Sequence, residues 1–379
     1  MKQNVISYLS TIKNEILSIN SFLYNNPEKP FHEYNSCKYL INILRKHDFN
    51  ITENFLDINT AFKATYGQGY PQICYICKYS AHETLGHIYG NNSNAAISIG
   101  AGIALKEILN KMNGTIIIIG CPGLYSNGSE IKMTHENVFE DADLIIAPHV
   151  DNTNSESGTS MASIPLKIDY TLNKTDNRSL EFSLFNLQSL NQIVKSSCDK
   201  CYIDKLNIDI NNKIQDKLIN ETFKFHLKSP CIKEAETIEH KIRSYFTSLE
   251  SMLDIKYNVC LYELPCKQLI SNTVLSRIFS HNLKECGIIN IAEPKTMEYS
   301  LGIGTISHTT PTIYPSISIT DDTSIHCPST EFKDSTLLEL SCKRILLAAQ
   351  CIAITSIDFL EREDLLKEIT VNHYNNIKK

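Results

Sequence analysis

The sequence lacks an excess of positive charge, a long uninterrupted apolar run and any repeated or low-complexity tract. Its 379 residues include 36 lysines and arginines against 42 aspartates and glutamates, a formal net charge of -6. Because the two signs are interspersed, no basic stripe is available for a phosphate backbone and no polybasic segment for a membrane surface. We therefore expect no nucleic-acid partner and no membrane partner.

The first residues also lack the pattern of an export signal. Charged residues, including Lys2 and Glu15, interrupt the opening segment, so it has no continuous apolar core. The most apolar long stretch, residues 345–360, contains Gln350 and Asp358 and is predicted to be a core helix. Thirteen cysteines without an export signal indicate reduced thiols, and we expect a cytoplasmic protein.

Two cysteine pairs have C-x-x-C spacing, which occurs in zinc sites. Cys74 and Cys77 fall in a strand-like segment, where residues three apart point to opposite faces and do not easily share one ion. Cys198 and Cys201 lie far from that pair in the chain, unlike the compact spacing of a zinc ribbon. We interpret all four residues as buried or free thiols.

Strand-like and helix-like segments alternate in the first part of the chain. An apolar segment at residues 73–79 precedes a helix-like segment at residues 93–112. Residues 114–120, GTIIIIG, are typical of a strand buried on both faces, as in a parallel sheet covered by helices. A further apolar strand is predicted at residues 142–147, so this part of the chain is an α/β layer.

The pattern changes after residue 163. A strand at residues 166–172, a helix at residues 180–195, polar strands and an amphipathic helix at residues 237–253 follow one another. This order suits a small α+β module inserted into the first domain. We predict a main α/β domain of residues 1–163 and 269–379, with an insert of residues 164–268.

Residues 79–92, YSAHETLGHIYGNN, form a polar loop between a predicted strand and a predicted helix, where α/β sheets usually place reactive groups. The loop resembles Y-D-A-L-P-x-x-G-H-A-C-G-H-N of the M20 metallo-amidohydrolases, especially the aminoacylase-like and aminobenzoyl-glutamate hydrolase-like branch. Gly86, His87, Gly90 and Asn92 fit that motif without a gap.

Three chemically important positions of this loop differ from the M20 motif. Ser80 occupies the position of the Asp, Tyr89 that of the ligand Cys and Asn91 that of the ligand His. The second family motif, G-T-P-A-E-E, is matched by residues 120–125, GCPGLY. There the general-base position holds Leu124 and the neighbouring ligand position holds Tyr125.

Other family positions are retained in part. His149 keeps a ligand identity, and residues 300–308 resemble S-T-D-x-G-N-V-S-H, with His308 matched and Gly302 in the Asp position. His326 lies two residues before the position of the last ligand His. In the insert, Arg243 matches the family, whereas the best counterpart of the substrate-facing His, the Asp176 region, has no His.

The resemblance implies a zinc-peptidase-like main domain, with a mixed sheet flanked by helices, and a ferredoxin-like lid. In the family that lid often serves dimerisation, and we expect a homodimer through residues 164–268. It also implies metal-dependent hydrolysis of amides or peptides. Two dications about 3.5 Å apart repel by about 19 kcal/mol at an effective dielectric of about 20, and the matched positions supply no anion to offset this.

Two interpretations of the site therefore remain open. In the first, the chain is a non-catalytic M20 homologue without a cofactor. The cleft that corresponds to the family's active site then binds a partner or a small acylated amino acid or peptide-like ligand. In the second, it is an active hydrolase of N-acyl amino acids or dipeptides that uses one divalent metal, Zn or Mn. The candidate ligands of a single ion are His87, His149 and His326, and His308 is a fourth histidine that could converge on it.

Overall fold

The computed structural model describes residues 1–109, 111–173, 179–211, 218–253 and 255–378. The chain divides into two units. The first unit comprises Met1–Thr159, Ile270–Thr296 and Ile306–Lys379, and the second comprises Ser160–Leu269 and Met297–Thr305. The second unit thus includes a short segment, Met297–Thr305, that the sequence pattern assigns to the main domain.

The helices and strands follow one another along the chain in three groups. The part before the insert contains α1 (Lys2–Asn25), α2 (Tyr34–Lys46), β1 (Asn50–Glu53), β2 (Phe62–Gln68), β3 (Gln72–Cys77), α3 (Asn91–Leu109), β4 (Gly114–Gly120), β5 (Gly123–Leu124), β6 (Asn127–Gly128), α4 (Ser129–His135), β7 (Leu144–Ile146) and β8 (His149–Asp151). The insert contains β9 (Ala162–Asn173), α5 (Ser179–Ser197), β10 (Tyr202–Asn211), β11 (Leu218–Ser229), α6 (Ile232–Leu253) and β12 (Tyr257–Leu261). The remainder contains α7 (Thr273–Glu285), α8 (Gly302–Ile306), β13 (Thr312–Ile313), β14 (Ser316–Ser318), α9 (Thr330–Ser335), α10 (Glu339–Glu361) and α11 (Glu363–Ile377).

The first unit is built on a six-stranded mixed sheet with the order β1-β2-β4-β3-β7-β13. β4, β3, β7 and β13 are parallel, whereas β2 pairs antiparallel with β4 and β1 antiparallel with β2. β4 is a run of isoleucines between glycines, and its side chains are buried almost throughout. This matches the expectation for a central strand covered on both faces.

Helix α3 lies at the centre of the first unit, between the sheet and the helices α1 and α10. It is buried along nearly its whole length, and its glycines allow close contact. A Cβ atom at Gly102 would lie 2.4 Å from Ile118 Cδ1 of β4, a distance that excludes a larger side chain without movement of the sheet. The small residues of α3 therefore let the helix approach the sheet closely.

Among the described residues one helix, α10, is long and apolar enough to cross a membrane. In the protein 61% of its most apolar window is buried, and it packs on α1, α3 and α7. Ile345, Ile352 and Phe359 are fully buried at helical spacing and contribute to the main hydrophobic core. This burial agrees with the prediction of a core helix from residues 345–360.

The second unit has the element order β-α-β-β-α-β, with α5 and α6 between the strands. Its antiparallel sheet has the order β10-β11-β9-β12, which is the ferredoxin-like arrangement. A separate core supports it, in which Phe223 and Phe225 of β11 pack with Ile238 and Phe246 of α6. Alternate residues of β11 thus face the helices, as the two-residue period of a strand requires.

Candidate functional site

The candidate site lies where the parallel strands of the first unit end. β3 ends at Cys77, β4 at Gly120 and β7 at Ile146, and each strand is followed by one of the loops that match the M20 motifs. Carboxyl ends of neighbouring parallel strands meet at one edge of a sheet, which brings these loops together.

The loop after β3 is closed by backbone hydrogen bonds within it and packs on β8 at Gly90. The N–H groups of His82 and Gly86 each donate to the other residue's carbonyl, at 2.8 and 3.0 Å. Gly90 has a φ of 67°, and a Cβ atom there would lie 2.3 Å from Val150 Cγ2. Both the left-handed backbone and this contact favour glycine, and the close packing fixes Tyr89 beside it.

A buried carboxylate, Glu33, is the centre of the hydrogen bonds around Ser80. The Ser80 hydroxyl donates to Glu33 Oε1, and the Thr60 hydroxyl donates to Glu33 Oε2 at 2.9 Å. The Gly123 N–H donates to Ser80 Oγ at 2.8 Å and lies 3.3 Å from Glu33 Oε1. Both carboxylate oxygens therefore already have donors inside the protein, as a buried anion requires.

Asn91, at the matched ligand position, has both ends of its amide in hydrogen bonds. Its Nδ2 donates to the Ser80 carbonyl at 2.8 Å, and its Oδ1 accepts from Asn94 Nδ2 at 3.2 Å. Asn94 Oδ1 in turn accepts from the Val150 N–H at 2.9 Å. The amide therefore connects the loop after β3, helix α3 and strand β8, which is a structural role.

Two tyrosines occupy the positions of a ligand Cys and a ligand Glu. The rings of Tyr89 and Tyr125 meet edge to face, with centroids 4.7 Å apart. Burial raises the pKa of Tyr89, and nearby Cys327 raises it further, so the phenol stays neutral at pH 7. Leu124, at the general-base position, is half-buried and carries no ionisable group.

His149 opens β8 and stacks on Tyr314, with ring centroids 4.9 Å apart and an angle of 16° between the planes. The imidazole is buried, and this burial lowers its pKa, while the neighbouring Asp151 opposes the shift. The imidazole is therefore neutral at pH 7.

Comparisons with known proteins identify relatives of this chain. No family model matches the chain. It is 30% identical to a subunit of the p-aminobenzoyl-glutamate hydrolase of Escherichia coli over 146 residues, which are 34% of this chain and 30% of that protein. It is 23% identical to the Xaa-Arg dipeptidase of Mus musculus over 82% of this chain and 77% of that protein.

A solved structure extends the likeness to nearly the whole chain. The YxeP protein of Bacillus subtilis, a dinuclear metal-binding peptidase of the M20 family, superposes with a TM-score of 0.69. The match covers 93% of this chain and 99% of that structure, at 12% identity. The chain has the M20 peptidase fold. Its homologues and structural neighbours are M20 aminohydrolases, so the resemblance to this family is confirmed.

His87 of this M20-fold protein lies in the interior. The side chain is 1% exposed, and its polar neighbour is the backbone of Leu23 in α1. Burial lowers the pKa of His87 to about 4, and the Leu23 backbone offsets only part of this shift. The imidazole is therefore neutral at pH 7.

The other matched residues have separate surroundings. His326 is exposed, with Nδ1 3.4 Å from Asn152 Nδ2, and His308 is half-buried. In the second unit, Arg243 pairs with Glu239 at 2.7 Å and donates to the Val259 carbonyl. Asp176 lies outside the described residues.

The M20 positions of this chain do not fit a pair of metal ions. Ser80, Asn91 and Leu124 carry no ionisable group, a raised pKa keeps Tyr89 neutral, and Ser80 and Asn91 already have protein partners. Within the described ranges, one group of three His, Cys, Asp or Glu side chains has ligand atoms within 4.8 Å of one another, and it belongs to the second unit. The candidate ligands His87, His149 and His326 form no such group.

Sequence reasoning missed the role of Glu33 and the stacking partner of His149. Glu33 fits the opening motif of the M20 family, H-x-x-P-E-x-x-x-x-E-x-x-T-x-x-x-I-x-x-x-L, and there the resemblance concerns the scaffold. Its partners Ser80 and Gly123 are 47 and 90 residues away in the chain, so the contact has no local signature.

Proposed function

We propose that this chain is a non-catalytic relative of the M20 amidohydrolases whose cleft binds a ligand without hydrolysing it. The observation that carries the proposal is the hydrogen-bonded network of Glu33, Ser80 and Gly123, with Asn91 attached to it. Amide hydrolysis on this fold requires a carboxylate base and anionic metal ligands. Here Leu124 supplies no base, the Ser80 hydroxyl donates to Glu33, and the Asn91 amide donates to the Ser80 carbonyl.

The chemistry of the cleft favours a small acylated amino acid or a peptide-like ligand. Tyr89 and Tyr125 offer aromatic edges with hydroxyl groups, and the neutral His149 offers a polar ring at the start of β8. Such groups suit an apolar acyl chain next to an amide, because rings cover the chain and polar tips pair with the amide. The names of the relatives, a hydrolase of p-aminobenzoyl-glutamate and a dipeptidase, agree with this ligand class.

Titration of the purified chain with a panel of N-acyl amino acids and dipeptides tests the proposal. We expect saturable binding in calorimetry that is weakened by Tyr89→Ala and by His149→Ala. Tyr374→Ala serves as the matched control, because Tyr374 is 59% exposed on α11 and distant in sequence from the cleft loops. No product is expected in the same solutions after addition of Zn²⁺, Mn²⁺ or Co²⁺.

Turnover of any panel member would favour the active hydrolase with an atypical metal site. That interpretation requires the turnover to disappear with a chelator and in His149→Ala, and to survive in Tyr374→Ala. If no panel member binds, the proposed ligand class is wrong.

We also propose that the chain forms a homodimer through the second unit. β10 is an edge strand of its sheet, and it exposes Leu206 and Ile208, each at 37%. An exposed edge with apolar side chains is commonly covered by pairing across a two-fold axis. Light scattering at micromolar concentration should give a dimer that Ile208→Lys converts to monomer, whereas the control Ile289→Lys should not. A wild-type monomer would refute the dimer.

A further inference from the structure

The second unit contains two cysteines that a tight turn brings together. Helix α5 ends at Ser197, and β10 begins at Tyr202, so Cys198 and Cys201 occupy the connection. The Cys201 N–H donates to the Cys198 carbonyl at 3.1 Å, which closes a four-residue turn. Both thiols are reduced in this arrangement, and Cys201 is buried.

A carboxylate from another element approaches these thiols. Glu234 lies in the first turn of α6, and its Oε2 is 3.9 Å from Cys198 Sγ. Ser229, at the end of β11, donates from its hydroxyl to the same oxygen at 3.1 Å and also contacts Cys201. The hydroxyl therefore holds the carboxylate in the orientation in which it faces the thiols.

We propose that Cys198, Cys201 and Glu234 bind one thiophilic divalent cation of the zinc type. Their ligand atoms all lie within 4.8 Å of one another. Around a tetrahedral zinc ion, two sulfurs are about 3.8 Å apart and a sulfur and an oxygen about 3.5 Å apart. Small side-chain movements would therefore bring the three atoms to bonding distance, with Ser229 as the group that orients Glu234.

The surrounding charges suit such an ion. Two thiolates and a carboxylate with a dication carry a net charge of about -1. Lys233 and Lys241 line an adjoining cavity of about 200 Å³ that also borders Cys198 and Glu234, and both are positively charged. The cavity leaves space for a water molecule as the fourth ligand, as zinc sites with three protein ligands require.

Metal binding at this site would release the protons of both thiols, because zinc binds thiolates and not thiols.

Titration of the reduced, metal-free full chain with Co²⁺ is the direct test. We expect one equivalent to bind with a sulfur-to-cobalt charge-transfer absorption, and one equivalent of Zn²⁺ to displace it. Cys198→Ser and Cys201→Ser should each abolish the band, whereas Cys260→Ser, a cysteine of β12 outside the group, should leave it unchanged. Ser229→Ala should weaken binding by about tenfold.

Three outcomes would refute the proposed metal site. The first is the absence of a charge-transfer band at one equivalent of Co²⁺. The second is stoichiometric binding that survives Cys198→Ser and Cys201→Ser but is lost in His149→Ala, which would place the ion in the first unit. The third is a band that Cys260→Ser also removes. Circular dichroism of each variant shows whether it is folded, and Glu234→Gln, which keeps both thiols, should weaken binding without loss of the fold.

Discussion

Ser80→Asp is expected to destabilise the protein by about 3–5 kcal/mol at pH 7, although it restores the residue of the M20 motif. Ser80 is fully buried, and its hydroxyl donates to Glu33 Oε1. A carboxylate in its place would face a second buried carboxylate and could donate no hydrogen bond when ionised. Two facing carboxylates repel each other, which raises the pKa of one of them strongly. The loss of stability caused by Ser80→Asp should therefore decrease as the pH falls toward 4.

Urea unfolding of matched variants measures this effect. Ser80→Asn is the control, because an amide of similar size can still donate to Glu33, and we expect it to cost clearly less than Ser80→Asp. Glu33→Gln should rescue Ser80→Asp, since it removes the facing charge. Equal stability of Ser80→Asp and Ser80→Asn at pH 7 would refute the buried hydrogen-bond network around Glu33.

Acidification from pH 7.5 to 4.5 should lower the unfolding free energy by about 2–3 kcal/mol through His87 alone. The folded pKa of this imidazole is lowered to about 4 by burial, whereas its ordinary value is 6.5. Below pH 6.5 the unfolded chain therefore binds a proton that the folded chain does not. The stabilisation is complete above about pH 6.5 and is lost as the pH falls toward 4.

The contribution of His87 is separated from other groups by comparing variants across this range. His87→Gln cannot titrate, so its unfolding free energy should fall less steeply with pH than that of the wild type. His281→Gln, at an exposed position on α7, should follow the wild-type slope. Equal slopes for the wild type and His87→Gln would show that the imidazole is not held neutral in the interior.

Much of the fold was predictable because its signals are local. The isoleucines of β4 between two glycines predicted a buried strand with the observed bounds, Gly114–Gly120. Helix α3 begins at Asn91, earlier than predicted, because Asn91 and Asn92 resemble loop residues until their tertiary hydrogen bonds are known. The sequence pattern also predicts a helix near residues 132–140, whereas the structure has α4 at Ser129–His135, because short patterns define helix boundaries poorly.

The site was predictable only as a set of substitutions. Motif alignment identified Ser80, Tyr89 and Asn91 as changed positions, but it could not show which groups they contact. The partners of Ser80 come from distant segments, and the carboxylate beside Cys198 and Cys201 comes from a helix that starts 31 residues after the second cysteine. Such contacts depend on tertiary packing and leave no periodic signal in the sequence.

The metal content of the Cys198→Ser/Cys201→Ser double variant tests the central claim most directly. The purified variant would be incubated with Zn²⁺, Mn²⁺ or Co²⁺, desalted and analysed for metal per chain. Because the substituted M20 positions supply no carboxylate or thiolate, we predict no stoichiometric metal in this variant, and the wild type should retain one ion at most. One or more tightly held ions per chain in the double variant would contradict this prediction.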